Sequence, residues 1–341
     1  MTKTVLVTGA TGYIAKHLVL QLLNAGYNVV GSARSLSRET EMHDALRPHL
    51  EDESALSRLR MVALDLSSDD GWDAAMEGVD VLMHTASPFP LSQPKDENDL
   101  IRPAVDGALR AVKAAKAAGI TRVIMTSSTV SVMTGDLPPG KATFNEEDWS
   151  DLSHPAATPY AKSKTMAERA VWDWQASDAP EMQITMINPS FVQGAPLDEN
   201  YGTSIAVVER LLKGQDPMVP DIAFVTVDVR DIAKMHILAM ETDASINNRY
   251  IGAERLMSFQ DIARELKSAY PDRKIPTRVA PNLVIRLLSL FDPAIRSILP
   301  SLGRRDLASN EKARSDLGMD FHDVRQSIRE AGTFLVERNL V

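Results

Sequence analysis

The sequence predicts an α/β protein built on a doubly wound parallel sheet. Short apolar runs alternate with helical patterns through its first half, a glycine-containing turn links the first run to the first helix, and the alternation breaks after Asn188. Continuous apolar runs separated by helices suit strands buried on both faces, the situation in a parallel sheet with helices on each side. Val5–Val7 opens the series, followed by an amphipathic stretch from Tyr13 to Ala25. Asn28–Ala33, Met61–Leu64, Val79–His84, Arg122–Met125 and Ile184–Asn188 read as the next five strands. Leu100–Ala118, rich in Ala and Lys, reads as a long helix ended by Gly119. The charged segment Leu36–Arg60 is long for a connection and reads as partly helical; no chemistry is assigned to it.

Beyond Asn188, Pro189, Gly194, Pro196, Gly202, Gly214, Pro217 and Pro220 punctuate the chain. Strand-like Phe224–Val227 and helix-like Asp231–Met240 read as a return to the sheet, with Tyr250-Ile251 as a last strand. Ser258 followed three residues later by Asp261 marks a helix start. The expected division is a first domain of 1–188 with 224–252 returning to its sheet, and a smaller, mainly helical C-terminal substrate domain of 189–223 and 253–341.

The composition is ordinary for a globular protein, with 44% hydrophobic and 24% charged residues among 341. A net charge of −9 argues against a broad electrostatic grip on nucleic acid. The absence of cysteine removes disulfides, thiolate metal ligands and a cysteine nucleophile, and fits a reducing cytoplasm, the expected location. No metal site is expected. The first strand starts at Thr4, leaving no room for a leader ahead of it. No apolar run approaches the ~18–20 residues of a membrane span; the longest, Leu283–Phe291, contains Arg286.

Thr8-Gly-Ala-Thr-Gly-Tyr-Ile-Ala15 follows the first strand and opens the first helix. Gly9 and Gly12 are expected in backbone angles closed to other residues, and Ala15 is small enough for close helix–sheet packing. Thr11, Tyr13 and Ile14 complete the turn, where the helix start offers N–H groups and partial positive charge to a pyrophosphate. This is the strand–turn–helix order of a Rossmann-type dinucleotide site. The second strand ends in Gly31-Ser-Ala-Arg34, with Arg38 close behind and no acid before Glu39. A carboxylate there would repel a 2′-phosphate, whereas Arg binds it through a forked geometry, so NADP(H) is expected over NAD. Asp65-Leu66 after the third strand fits either an adenine border or a helix cap. Thr85, Ala86 and Ser87 follow the fourth strand beside the expected crevice, and His84 before them reads as structural. Thr126-Ser-Ser128 ends the fifth strand, where ligands of open α/β sheets bind.

Tyr160 and Lys164 are one helical turn apart and share a face. A phenol with a reference pKa of ~10 is a poor acid–base group at neutral pH, and a fixed ammonium beside it is expected to lower that value. The glycine turn, Ser128 and the Tyr160/Lys164 pair occur in the order and spacing of the extended short-chain dehydrogenase/reductases. Asn145-Glu-Glu-Asp-Trp-Ser-Asp-Leu152, Tyr160-Ala-Lys-Ser-Lys-Thr-Met-Ala-Glu168 and Trp172-Asp173 resemble the dihydroflavonol 4-reductase-like branch, and the likeness covers nearly the whole chain. Asn188-Pro-Ser-Phe-Val-Gln-Gly194 is similar to that family's loop beside the nicotinamide, which implies cofactor contacts at Pro189 and Val192. The resemblance implies carbonyl reduction: Ser128 holds the substrate oxygen, Tyr160 delivers a proton to it, and Lys164 binds the nicotinamide ribose and lowers the tyrosine pKa. Ser127 is the less suitable hydroxyl, because the family motif places the catalytic group second. Trp172 and Trp174 read as helix packing.

Plant-type flavonoid reductases tend to carry Asn five residues after the catalytic serine; this chain has Met133, which points away from a flavonoid toward another apolar aldehyde or ketone. Phe89 between Pro88 and Pro90, Met133 and Phe191 are the expected pocket walls. Sugar-nucleotide dehydratases place acids where this chain has Thr129 and Val130. A sugar-nucleotide epimerase, a hydroxysteroid-type dehydrogenase and a non-catalytic NADP-sensing regulator are the competing functions. The expected partner is a small carbonyl or alcohol compound, with no nucleic acid or membrane, and the chain is a monomer or a homodimer.

Overall fold

The computed structural model describes residues 2–88, 96–291, 296 and 298–341. Strands β1 (Thr4–Thr8), β2 (Asn28–Ala33), β3 (Leu59–Ala63), β4 (Val81–His84), β5 (Arg122–Thr126) and β6 (Gln183–Pro189) lie in one sheet. A short β7 (Phe191–Gln193), β8 (Ala223–Asp228), β9 (Asn248–Gly252) and β10 (Arg255–Ser258) follow. The main sheet has seven strands in the order β3-β2-β1-β4-β5-β6-β9, and all pairs are parallel. The order reverses between β1 and β4, and Thr8 pairs with His84 at their carboxyl ends. A crevice opens for ligands at such a switch point.

The helices are α1 (Tyr13–Asn24), α2 (Glu39–Leu46), α3 (Trp72–Met76), α4 (Asn98–Ala117), α5 (Pro159–Asp178), α6 (Thr203–Lys213), α7 (Val229–Glu241), α8 (Phe259–Ala269), α9 (Asn282–Leu288), α10 (Glu311–Leu317) and α11 (Val324–Glu337). The period of two along each strand sorts the core. Val5, Val7, Met83 and Ile124 meet Leu18 and Leu22 of α1 and Ile232 and Met235 of α7. Leu6, Leu82 and Val123 point the other way, onto Ala108, Ala111 and Val112 of α4 and Ala167 and Val171 of α5. The small residues of α4 let α5 lie close, which fixes the helix that carries Tyr160. Trp172 and Trp174 pack against this same cluster, as expected.

A separate core joins Ile205 and Val208 of α6, Ile262 and Leu266 of α8, and Ile328 and Leu335 of α11. The start of α8 is a capping box: Ser258 Oγ accepts from Asp261 N at 3.0 Å, and Asp261 Oδ2 accepts from Ser258 N at 3.0 Å. The expected return of 224–252 to the main sheet is met only at its end. β9 joins it beside β6, but β8 pairs with β7 and β10 in a second, three-stranded sheet. The place beside β6 is filled by β9, and β8 pairs with β7 and β10 instead.

Candidate active site

Gly9 has φ +64°, and a Cβ on it would stand 3.0 Å from Ala86 Cβ, so both backbone and space require glycine. Gly12 departs from expectation. Its φ is −80° and open to any residue; the constraint there is space, since a Cβ would stand 3.2 Å from Gly9 O. The start of α1 has no side-chain cap and no acid in its first turn, leaving its N–H groups and dipole to an anion. Thr8 Oγ1 accepts from the N–H groups of Thr85 and Ala86, both at 3.1 Å, and lies 2.8 Å from His84 Nδ1. With both N–H groups directed at it, that hydroxyl gives its own proton to Nδ1. Burial pulls His84 down to about 3, so it stays neutral and structural, as expected.

The segment after β7 clasps this turn from outside. Tyr13 Oη donates to Gly194 O at 2.8 Å, His17 Nε2 lies 3.1 Å from Ala195 O, and Asn200 Nδ2 donates to Thr11 O at 2.9 Å. Lys16 is buried and ion-paired with Asp198 and with Glu41. Nothing in the local sequence around Asn200 or Asp198 signals these contacts.

At the reaction end, Ser128 is the N-cap of a 3-10 turn, Thr129–Ser131, and its Oγ accepts from Val130 N at 3.3 Å. Thr158 caps α5, accepting from Ala161 N at 3.1 Å, and Pro159 starts the helix, so Tyr160 sits in the first turn. Tyr160 and Ser128 share a side-chain hydrogen bond, and Lys164 is buried one turn behind. The tyrosine does not show the lowered value expected from Lys164. Burial dominates and pushes the phenol up to about 12, against a smaller lowering by the Ser128 bond. Burial also brings Lys164 down to about 8, opposed by the Glu168 charge. Ser127 turns away: its Oγ donates to Glu168 Oε2 at 2.5 Å. A narrow recess beside Lys164 gathers Ala86, Ser87, Thr126 and His84.

On the adenine side, Arg34 is exposed at the end of β2. Arg38 is held by Glu41 through bonds of 2.8 and 2.6 Å and reaches Thr11 Oγ1 at 2.8 Å, which brings it to the glycine turn. Asp65 caps no helix; it closes a turn, accepting from Ser67 N at 2.8 Å and Ser67 Oγ at 2.6 Å, with Leu66 next to it. Pro189, the last residue of β6, and Val192 of β7 are buried, and beside them Ser190 Oγ and Asn188 Oδ1 are buried without a partner. An uncapped helix start, a glycine whose Cβ has no room, and unpartnered polar atoms at the carboxyl end of β6 fit a dinucleotide lying along the carboxyl ends of the strands. Phe191 stacks among Phe224 and Phe259, with centroids 5.3 and 6.5 Å away. Met133 packs at the edge of a small cluster with Val132, Phe144 and Val225. Phe89 lies outside the described residues. Among the described residues, no helix is long and apolar enough to cross a membrane.

Residues 5–251 match the model of the NAD dependent epimerase/dehydratase family. The chain is 33% identical over 283 residues to tetraketide alpha-pyrone reductase 1 of Arabidopsis thaliana, covering 80% of this chain and 83% of that one. It is 30% identical over 339 residues to cinnamoyl-CoA reductase 1 of the same plant, covering 98% and 90%. The fold superposes on the crystal structure of yeast methylglyoxal/isovaleraldehyde reductase Gre2 complexed with NADPH, with a TM-score of 0.81, 27% identity, and coverage of 99% of this chain and 100% of that one. The chain belongs to the NAD-dependent epimerase/dehydratase family, among its extended short-chain reductases.

Proposed function

We propose that this chain reduces a small aldehyde or ketone to an alcohol with NADPH, using Ser128, Tyr160 and Lys164. The observation that carries the reading is the Tyr160–Ser128 hydrogen bond with Lys164 buried one turn behind. Two hydroxyls already oriented toward one another are suited to receive a carbonyl oxygen. Ser128 donates a hydrogen bond to that oxygen, and Tyr160 gives it a proton. The bound cofactor supplies the hydride. A phenol held at about 12 is fully protonated at neutral pH, the state a donor needs. As the proton leaves, the Lys164 ammonium stabilises the phenolate, and the position of Tyr160 at the positive end of α5 adds to it.

Arg34 and Arg38 would take the 2′-phosphate, and no acid stands at the end of β2 to oppose it. Gly9, Gly12 and the N–H groups of Tyr13 and Ile14 would hold the pyrophosphate, with Thr11 at the turn. Asp65 and Leu66 would border the adenine. Thr85, Ala86, Ser87, Thr126, Pro189 and Val192 would line the path to the nicotinamide, and Lys164 would meet its ribose. The unit made of 189–223 and 253–341 is the substrate side of this reading, with Met133 and Phe191 as apolar walls. One chain carries the whole reaction centre, as a monomer or within a homodimer, in the cytoplasm.

The test is NADPH oxidation with methylglyoxal, isovaleraldehyde, aryl ketones and flavonoids as acceptors. Turnover of an aldehyde, diketone or ketone is expected. Tight NADPH binding without turnover of any of them would instead favour a cofactor-sensing regulator.

A further inference from the structure

The two sequence stretches that mark this branch, 145–152 and 160–168, meet in space at a buried ion pair. Glu168 is on α5 one turn beyond Lys164, and its carboxylate is fully buried. Arg249 of β9, 81 residues away, donates to Glu168 Oε1 at 2.6 Å. Arg249 also holds the first stretch, with Nη1 donating to Glu146 O at 3.0 Å and Asp148 O at 2.7 Å and the guanidinium 3.9 Å from the centre of the Trp149 ring, while Nη2 donates to Ser131 Oγ at 3.4 Å.

The second carboxylate oxygen faces the segment that carries Ser128. Ser127 Oγ reaches Oε2 at 2.5 Å, Ser131 Oγ at 2.6 Å and Asn188 Nδ2 at 2.9 Å. Ser131 Oγ also lies 2.7 Å from Ser128 O, and Asn188 Nδ2 lies 3.2 Å from it. Donors are short here. Ser131 has one proton for two acceptors, and the amide supplies the bond that Ser131 cannot make twice. The main chain on both sides of Ser128 is thereby tied to a single carboxylate, and Ser150 Oγ pins the same turn at Val130 O, 2.6 Å away.

We propose that Glu168, held by Arg249, is a positioning residue for carbonyl reduction: it fixes the backbone that aims Ser128 at the substrate oxygen. This rests on the reductase reading above. Glu168 acts on Ser128 through Ser127, Ser131 and Asn188; its charge also supports the Lys164 ammonium, a contribution that Ser131→Ala leaves in place. Burying the charge is costly unless it is fully paired, and an apolar replacement of such a pair is often neutral for stability, so stability alone does not account for an ionic pair at this place.

The test separates folding from aim. Glu168→Gln leaves Arg249 unpaired and is expected to lower both stability and turnover. The paired variant Glu168→Gln/Arg249→Met removes the stranded charge; it should recover the melting temperature while kcat stays about ten- to a hundredfold down, with KM and Kd for NADPH unchanged. Recovery of kcat together with melting temperature would overturn the proposal. Ser131→Ala serves if the paired variant does not fold: it leaves the ion pair intact, and kcat should fall about tenfold at unchanged NADPH affinity. An unaltered kcat in that variant also overturns it. Failure of the wild-type chain to oxidise NADPH with any carbonyl compound would be a failure of the reductase reading, visible before any variant is compared.

Discussion

The two ends of the cofactor crevice are built in opposite ways. At the reaction end, Ser127, Ser128, Lys164, Glu168, Asn188 and Arg249 are all buried, and the polar groups of the Glu168 cluster are tied to one another over bonds of 2.5 to 3.2 Å. At the adenine end, Arg34 is exposed, and the Arg38–Glu41 pair is about one-third exposed on each side. Buried networks hold geometry because each lost partner leaves a desolvated group behind; exposed ion pairs are worth only about 0–1 kcal/mol and exchange partners readily. On the proposed reading, one end would keep a reacting atom in place and the other would accept a mobile charged ligand.

The largest expected effect breaks the reaction end. Tyr160→Phe keeps the ring and removes the proton, so kcat should drop about 10²–10⁴-fold. NADPH affinity, read by fluorescence titration, should stay nearly constant because the adenine end is untouched. A Phe variant with substantial turnover would mean the proton comes from elsewhere.

Arg34→Glu probes the other end. It exchanges a charge-assisted contact for repulsion, and a rise of about ten- to a hundredfold in KM for NADPH is expected, with much less change for NADH and little in kcat. Equal effects on the two cofactors would remove Arg34 from the 2′-phosphate site.

A separate measurement, on stability, tests whether the buried histidines respond to acid. His84 and His236 brace Thr8 and Thr126 at the strand ends, with His236 Nε2 2.7 Å from Thr126 Oγ1 and Nδ1 2.7 Å from Ile232 O. Burial brings His84 to about 3, and His236 and His17 to about 4. Each is neutral when folded and protonates more readily when unfolded, so unfolding takes up protons between about pH 6.5 and 4. Stability should fall as pH drops through that window, by up to about 1.4 kcal/mol per pH unit for each histidine. Urea midpoints at pH 7 and pH 5 measure this, and a midpoint that does not move would contradict it.

The same contrast explains what is legible in the sequence. The glycine turn and the Tyr160/Lys164 pair are local patterns, set by one turn of helix or one strand–helix junction, and they can be read where they lie. The strands of the main sheet are readable from their apolar runs, with ends off by a residue or two. Phe224–Val227 is recognisable as a strand, but no local property tells a strand which sheet will take it; the β9–β6 pairing decides that. Gly12 looks like Gly9 in sequence and differs in backbone, because only one of them turns the chain. Glu168 stands out as part of a string, yet its partner Arg249 is 81 residues away and invisible from it. The fall in the tyrosine pKa expected from Lys164 is not seen for a related reason: spacing shows a neighbour but not the depth of burial, which raises the phenol against the Ser128 bond.

The clasp of residues 194–200 on the start of α1 has one more consequence. Tyr13, Lys16, His17 and Thr11 are each bonded to it, so the turn offered to the pyrophosphate and the chain leading into the substrate side share a common anchor. Whatever steadies one must steady the other, and free-energy linkage makes the benefit mutual. Any coupling carried this way would strengthen the binding of either small molecule by the same factor whichever arrives first, through three side chains and the main-chain carbonyl of Thr11.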